Sequence, residues 1–285
     1  DPSSISKRVK VDIPIVGNVK DVLVELLSQL EAGNVQPNAG ALQGWWQQID
    51  EWRGNGRLFP YNEGDGSIIK PQAAIEVLCE VTKGEAYVAS DVGQHQMFAC
   101  QYYKFDKPNR WLNSGGLGTM GYSVPAAMGA KVARPEAVVW AVDGDGCFQM
   151  TNQELATCVI NNIPIKVAII NNSSLGMVRQ WQTLFYDGRH SFTDLNTGAL
   201  DGENTTRMVP DFVKLAEAYG ALGIRVTKKE EIDAAIKLAI ETNDRPVVID
   251  FVVSRDAMVW PMVPQGVGNS QVQYARDHAP AWEEE

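Results

Sequence analysis

Two short stretches hold the residues best suited to chemistry. The first is Gly144-Asp145-Gly146, which follows the apolar run 138–142. The second is Asn171-Asn172, which follows Ile169-Ile170. Asp145 offers an anionic oxygen and Asn172 a neutral amide oxygen. A hard cation such as Mg²⁺ binds oxygens octahedrally and shares its shell with phosphates and water. The glycines permit a tight turn and let a phosphate come close to the backbone. Either stretch alone reads as an ordinary strand-to-helix turn, because Gly, Asp and Asn dominate turns. Together they say more. Asp145 and Asn172 lie 27 positions apart, with room for one helix and one strand between them. A βαβ unit would bring both to one side of a sheet, and the helix N-termini that follow favour an anion there.

Such a unit needs a sheet, and much of the chain is patterned to build one. Residues 71–81 read as a helix, with Ala74, Val77, Leu78 and Val81 at helical spacing and Pro71 suited to a first turn. Residues 86–89 read as a short strand, 96–103 as a helix and 120–133 as a small-residue helix. The runs 137–142 and 165–170 are continuously apolar, as buried parallel strands are. Residues 152–160 and 175–184 are helical, and a polar loop rich in Asn, Thr and Gly follows. Asp211 then caps a helix that runs to Tyr219 and stops at Gly220. Residues 223–226 form a strand, 229–241 a helix and 246–253 the last strand. Repeated β–α alternation predicts a parallel sheet covered by helices on both faces.

The two ends are patterned differently. The chain starts at Asp1-Pro2, is strand-like over 11–16 and helical over 19–30, then polar and irregular over 33–66. This reads as the tail of one domain, a linker and the start of another, as in a piece of a larger protein. The segment 258–285 is punctuated by Pro and Gly and finishes in Glu283-Glu284-Glu285, as a frayed tail or a lid does.

Composition narrows the function classes. Hydrophobic residues make up 45% and charged residues 21%, as in ordinary globular domains. A net charge of −10 argues against a nucleic-acid partner, whose phosphates need a basic face. No apolar run reaches membrane-spanning length, and no signal peptide is seen. Cys79, Cys100, Cys147 and Cys158 have neither CxxC nor zinc-site spacing, so they read as buried thiols of a reducing cytoplasm. Gly115-Gly116-Leu117-Gly118 lacks the GxGxxG register of a nucleotide-binding Rossmann turn.

The stretch from Gly144-Asp145-Gly146 to Asn171-Asn172 resembles the thiamine diphosphate-binding motif. Three further segments narrow the resemblance: Val92-Gly93-Gln94-His95-Gln96-Met97, Ser114-Gly115-Gly116-Leu117-Gly118-Thr119-Met120-Gly121 and Leu175-Gly176-Met177-Val178-Arg179-Gln180-Trp181. With them the chain resembles the large catalytic subunit of acetohydroxyacid (acetolactate) synthases along essentially its whole length. The resemblance implies an α/β, three-layer thiamine diphosphate-binding fold. It implies that residues 1–32 end the enzyme's middle domain, 33–66 are a linker, 67–255 are the diphosphate-side domain and 256–285 a lid or tail. It also implies condensation of pyruvate with a second pyruvate or 2-ketobutyrate, with loss of CO₂. FAD in the full-length enzyme, a homodimer or larger assembly and a small regulatory subunit are expected on the same ground.

Residue roles follow from the same resemblance. Asp145 and Asn172 would ligate Mg²⁺ through side chains and Ser174 through its carbonyl. Gly144, Gly146 and Cys147 would lie along the diphosphate, with Cys147 standing where the family often has Ser. Gln94 and His95 would meet the diphosphate's other end. Gly118 would let its backbone reach the aminopyrimidine, and Met120 would wedge the cofactor into a bent shape. Met177 and Trp181, four apart on a helix, would border the substrate channel; from spacing alone they read as a core stripe. The activating glutamate belongs to an N-terminal domain, and none of Glu76, Glu80 or Glu154 matches its motif. No catalytic residue is therefore expected within these 285 residues. Two readings compete: another carboligase or decarboxylase of the class, such as glyoxylate carboligase or pyruvate oxidase, and a cofactor-free binding or regulatory module that kept the fold.

Overall fold

The computed structural model describes residues 1–53, 61–62, 64–195, 209–263 and 266–273. The chain divides into two units, Asp1–Leu58 and Phe59–Glu285.

The first unit holds helices α1 (Val19–Ala32) and α2 (Ala39–Arg53). Asn18 caps α1 by accepting from the Lys20 N–H at 3.0 Å. No residue of α1 is buried. Two expectations fail in this unit. Residues 11–16 form no strand, because no neighbouring strand pairs with their backbone and Ile13 stands exposed. The stretch expected to be irregular contains α2, in which Leu42, Trp45, Trp46 and Ile49 recur at helical spacing.

The second unit opens with α3 (Pro71–Thr82), β1 (Tyr87–Ser90), α4 (Gln94–Tyr102), β2 (Trp111–Asn113) and α5 (Ser123–Ala133). Next come β3 (Val139–Gly144), α6 (Asp145–Thr151), α7 (Glu154–Ile160), β4 (Lys166–Asn171) and α8 (Gly176–Phe185). The described part closes with α9 (Phe212–Tyr219), β5 (Leu222–Val226), α10 (Ile232–Glu241) and β6 (Val247–Val252). As expected, Asp211 caps α9, and Gly220 ends it in the left-handed conformation. The polar loop over 196–208 and the tail beyond 273 lie outside the described residues.

All six strands are parallel, in the order β2-β1-β3-β4-β6-β5. Every residue of β3 and β4 is buried, which explains their unbroken apolar sequences: both faces are covered. Their side chains alternate between two cores. Trp140, Val142, Ala168 and Ile170 join residues of α3, α4 and α10. Val139, Ala141, Val167 and Ile169 join residues of α5, α7 and α9. The expected three-layer α/β architecture is what the chain forms. Two elements differ from expectation. The edge strand β2 is three half-buried residues, too short to show a period. And Asp145 begins α6 directly, so Gly146 and Cys147 occupy a helical first turn and not a loop.

The second core reaches the candidate site through Phe148, which is fully buried in α6 and meets Phe212 edge to face at 5.5 Å. Phe148→Ala is expected to destabilise the unit by about 3–5 kcal/mol, measured by denaturant unfolding, because the rigid surroundings refill the cavity only in part.

Candidate cofactor site

The carboxyl ends of β1, β3 and β4 converge on one cleft. Between β1 and β3 the strand order reverses direction along the chain, the place where parallel sheets bind ligands. Of the residues named from sequence, Gln94, His95, Met120, Gly144, Asp145, Gly146, Cys147, Asn172, Ser174 and Met177 all line it. Gly118 and Trp181 do not. Gly118 sits in the turn before Met120, with φ +66°, and Trp181 is half exposed one turn beyond Met177 on α8. Met177 is half-buried, and neither residue belongs to the buried core of the described residues.

Asp145 is buried at the start of α6. Its Oδ1 accepts from the Gly146 N–H at 3.1 Å and its Oδ2 from the Ser174 N–H at 3.1 Å. Asn172 Oδ1 accepts from the same Ser174 N–H, also at 3.1 Å. Two oxygens, one anionic and one neutral, therefore converge on a single point at the edge of the cleft. This donor set suits a hard divalent cation. The neighbouring Asn171 does a different job. It points back into the fold, donates to Asp250 Oδ1 at 2.9 Å and accepts from the Ser173 N–H at 3.1 Å. Asp250 is in turn held by Arg225 at 3.1 Å.

Burial lifts the Asp145 carboxyl to about 7, against which its backbone donors act. If Asp145 ligates Mg²⁺, the cation must displace that proton. Mg²⁺-dependent ligand affinity is thus expected to fall about tenfold per pH unit below pH 7, read by titration at pH 5.5, 6.5 and 7.5. The same group acts on folding with the opposite sense. Its folded value lies above the ordinary 3.8, so the metal-free protein binds the extra proton between these values and loses stability as pH rises through that window.

His95 is buried beside Gly144. A Cβ on Gly144 would fall 2.7 Å from His95 Nδ1, so only glycine fits where the strand passes the ring. Desolvation lowers the imidazole to about 4, with Asp91 opposing, and leaves it neutral at pH 7. His95 Nε2 is buried with no hydrogen-bond partner among the described residues. Such a group calls for a ligand atom or a water. Gln94, by contrast, spends its amide on protein: Nε2 donates to Gln180 Oε1 at 2.8 Å and to the Ala257 carbonyl at 3.0 Å, and Oε1 accepts from Asn172 Nδ2 at 3.2 Å. The Cys147 thiol donates to the Val92 carbonyl at 3.1 Å, and burial pushes its pKa far up, so it is no nucleophile.

Two residues escaped the sequence reading. Asp91 is fully buried at the end of β1. Its carboxylate accepts from the N–H groups of Val92, Gly121 and Ser123 at 2.8–3.0 Å and so pins the turn that carries Met120. Gln180, one turn after Gly176 on α8, is the other. An acid thirty residues before the backbone it holds carries no local signal.

The model of the thiamine pyrophosphate enzyme C-terminal TPP binding domain matches residues 91–251, from the end of β1 to β6. The chain belongs to this family. Its thiamine diphosphate-binding domain contains every site residue discussed above. The chain is 52% identical, over all of its 285 residues, to 44% of the acetolactate synthase of Mycobacterium leprae. It is 51% identical over 96% of its length to 42% of the acetolactate synthase large subunit of Corynebacterium glutamicum. It is 46% identical over 95% of its length to 46% of the isozyme 3 large subunit of Escherichia coli K12. The chain thus spans less than half the length of these relatives. The fold is also that of a thiamine diphosphate-dependent 4-hydroxybenzoylformate decarboxylase from Rhodococcus jostii RHA1, with TM-score 0.58 and 22% identity over 70% of this chain and 35% of that one. The resemblance to acetohydroxyacid synthases expected from the motifs is met. No helix among the described residues is long and apolar enough to cross a membrane.

Proposed function

We propose that the chain is the cofactor-binding C-terminal part of an acetolactate synthase catalytic subunit, which joins pyruvate to a second pyruvate or to 2-ketobutyrate with loss of CO₂. The similarity of the whole chain to acetolactate synthases carries this reading. In it, Asp145 and Asn172 would hold Mg²⁺ with the Ser174 carbonyl, and the backbone at Gly144, Gly146 and Cys147 together with His95 Nε2 would bind the diphosphate. Bound thiamine diphosphate supplies the nucleophilic carbon and the electron sink for decarboxylation. Met120, on the turn pinned by Asp91, shapes the cofactor, with Gly118 beside it. Met177, which lines the cleft, and Trp181 would border the approach of the second 2-ketoacid.

Among the described residues no glutamate lines the cleft. By the resemblance to acetohydroxyacid synthases, the glutamate that activates the cofactor belongs to an N-terminal domain outside these 285 residues, which alone would not turn over. The same reading takes residues 1–32 as the end of a middle domain that would hold FAD, with 33–66 as a linker and 256–285 as a C-terminal lid or tail. It places the protein in the cytoplasm as a dimer or larger, with a small regulatory subunit.

The test is a calorimetric titration of thiamine diphosphate into the protein with and without Mg²⁺, followed by product analysis of the full-length enzyme given pyruvate and 2-ketobutyrate. Mg²⁺-dependent saturable binding and acetohydroxyacid products bear the reading out. Binding with other products moves it to a different carboligase or decarboxylase. No binding by the full-length enzyme leaves a cofactor-free module of the same fold.

A further inference from the structure

We propose that Gln180 is a positioning residue for the metal site: through Gln94 it decides which end of the Asn172 amide faces the cation. The inference rests on the reading of Asn172 as a Mg²⁺ ligand. An amide side chain has an oxygen that accepts and a nitrogen that donates, and a half-turn exchanges them. Asn172 serves a cation only with its oxygen turned to the cleft. The Ser174 N–H holds that oxygen from one side, and the nitrogen end has to be held from the other.

That second hold traces back to main chain 79 residues beyond Gln180 in sequence. The Val259 N–H donates to Gln180 Oε1 at 2.9 Å, and Gln180 Nε2 donates to the Val259 carbonyl at 3.1 Å. Main-chain groups have fixed roles, so this two-point contact admits one orientation of the Gln180 amide. Its Oε1 then also accepts from Gln94 Nε2, whose other hydrogen goes to the Ala257 carbonyl. Turning Gln94 over would set its oxygen against two other oxygens. Gln94 Oε1 is thereby aimed at Asn172 Nδ2 at 3.2 Å, and Asn172 Oδ1 is left beside Asp145 Oδ2 on the Ser174 N–H. Gln180 is 1% exposed, Gln94 6% and Val259 0%, so water does not readily replace a lost partner and each broken link leaves a buried polar group unmet. Three amides in series carry a direction from the main chain of the C-terminal segment to the ligand oxygen.

The test uses the intact protein, with Mg²⁺ titrated calorimetrically at saturating thiamine diphosphate. Gln180→Met keeps the length and packing of the side chain and removes the directing oxygen. Its Mg²⁺ affinity is expected to fall about tenfold, in the range seen when the support of a metal ligand is removed. The control is the same substitution in an Asn172→Asp background. A carboxylate presents oxygen either way round, and a freed Gln94 can turn its amide nitrogen to that carboxylate, so there Gln180→Met is expected not to lower Mg²⁺ affinity. Equal losses in both backgrounds, or no loss in the native background, would overturn the assignment while leaving the cofactor reading intact. Absence of Mg²⁺-dependent binding in the unsubstituted protein would overturn both. If the methionine variant lacks native circular dichroism, Gln180→Leu is put through the same cycle.

Discussion

Asp145→Ala is expected to abolish Mg²⁺-dependent binding of thiamine diphosphate while the domain stays folded. The loss should exceed the ~10–100-fold typical of removing a group that only supports a ligand, because the substitution deletes the one anionic oxygen that converges with Asn172 on the Ser174 N–H. Survival of the fold follows from magnitudes. A carboxyl lifted from 3.8 to about 7 is disfavoured as an anion by about 4 kcal/mol above pH 7. Removing it also leaves the Gly146 N–H without this partner, at about 1–3 kcal/mol, while the Ser174 N–H keeps Asn172 Oδ1. The two effects are of similar size and opposite sign. Thermal melts of native and variant protein at pH 8, without metal, should therefore agree within a few degrees. Unaltered Mg²⁺-dependent titration curves would remove Asp145 from the site.

Gly176→Ala is expected to damage the same site from the other side. A Cβ there would fall 2.5 Å from Asn172 Nδ2 and collide with Gln94 Oε1, the two groups whose hydrogen bond aims Asn172. One side chain or the other must swing away, and Mg²⁺-dependent cofactor affinity should drop about 10–100-fold. The helix itself tolerates the change. Gly176 opens α8, and alanine is a better helix former by up to about 1 kcal/mol, against about 1–3 kcal/mol for forcing extra volume into a packed site. The measured signature is a large binding defect with a net stability loss no greater than about 2 kcal/mol in urea unfolding. A variant that binds normally would show that the glycine serves only the chain path.

Both substitutions act where the sequence was most and least legible. β3 and β4 announced themselves as continuous apolar runs because both faces of each are covered, and the polar residues just beyond them could only lie at the sheet's carboxyl edge. Asp145 and Asn172 were readable for that reason. The helix α2 was not, since Gly40 and Gly44 within it and the Pro and Asn before it look like linker chemistry. α6 was masked in the same way: Gly-Asp-Gly reads as a turn until β3 is seen to run straight into a helix. Gln180 was illegible for a deeper cause. Its partners lie 79 and 86 positions away, and no local pattern records a contact of that span.

The unequal depth of the strands has a consequence for how the site fails under mild heating. The metal-side residues grow from β3 and β4, the two strands with every residue buried. Met177 and Trp181 ride on α8, where only Gln180 and Thr183 are buried. Segments with few buried contacts open at lower free energy than the core they lean on. Subglobal opening should therefore release α8 while Asp145 remains in place. Limited proteolysis under native conditions is expected to nick near α8 before any cut falls between Val139 and Asn171. On the proposed reading, selectivity for the second substrate would sit on the softer element and cofactor capture on the harder one, so the former could drift without endangering the latter.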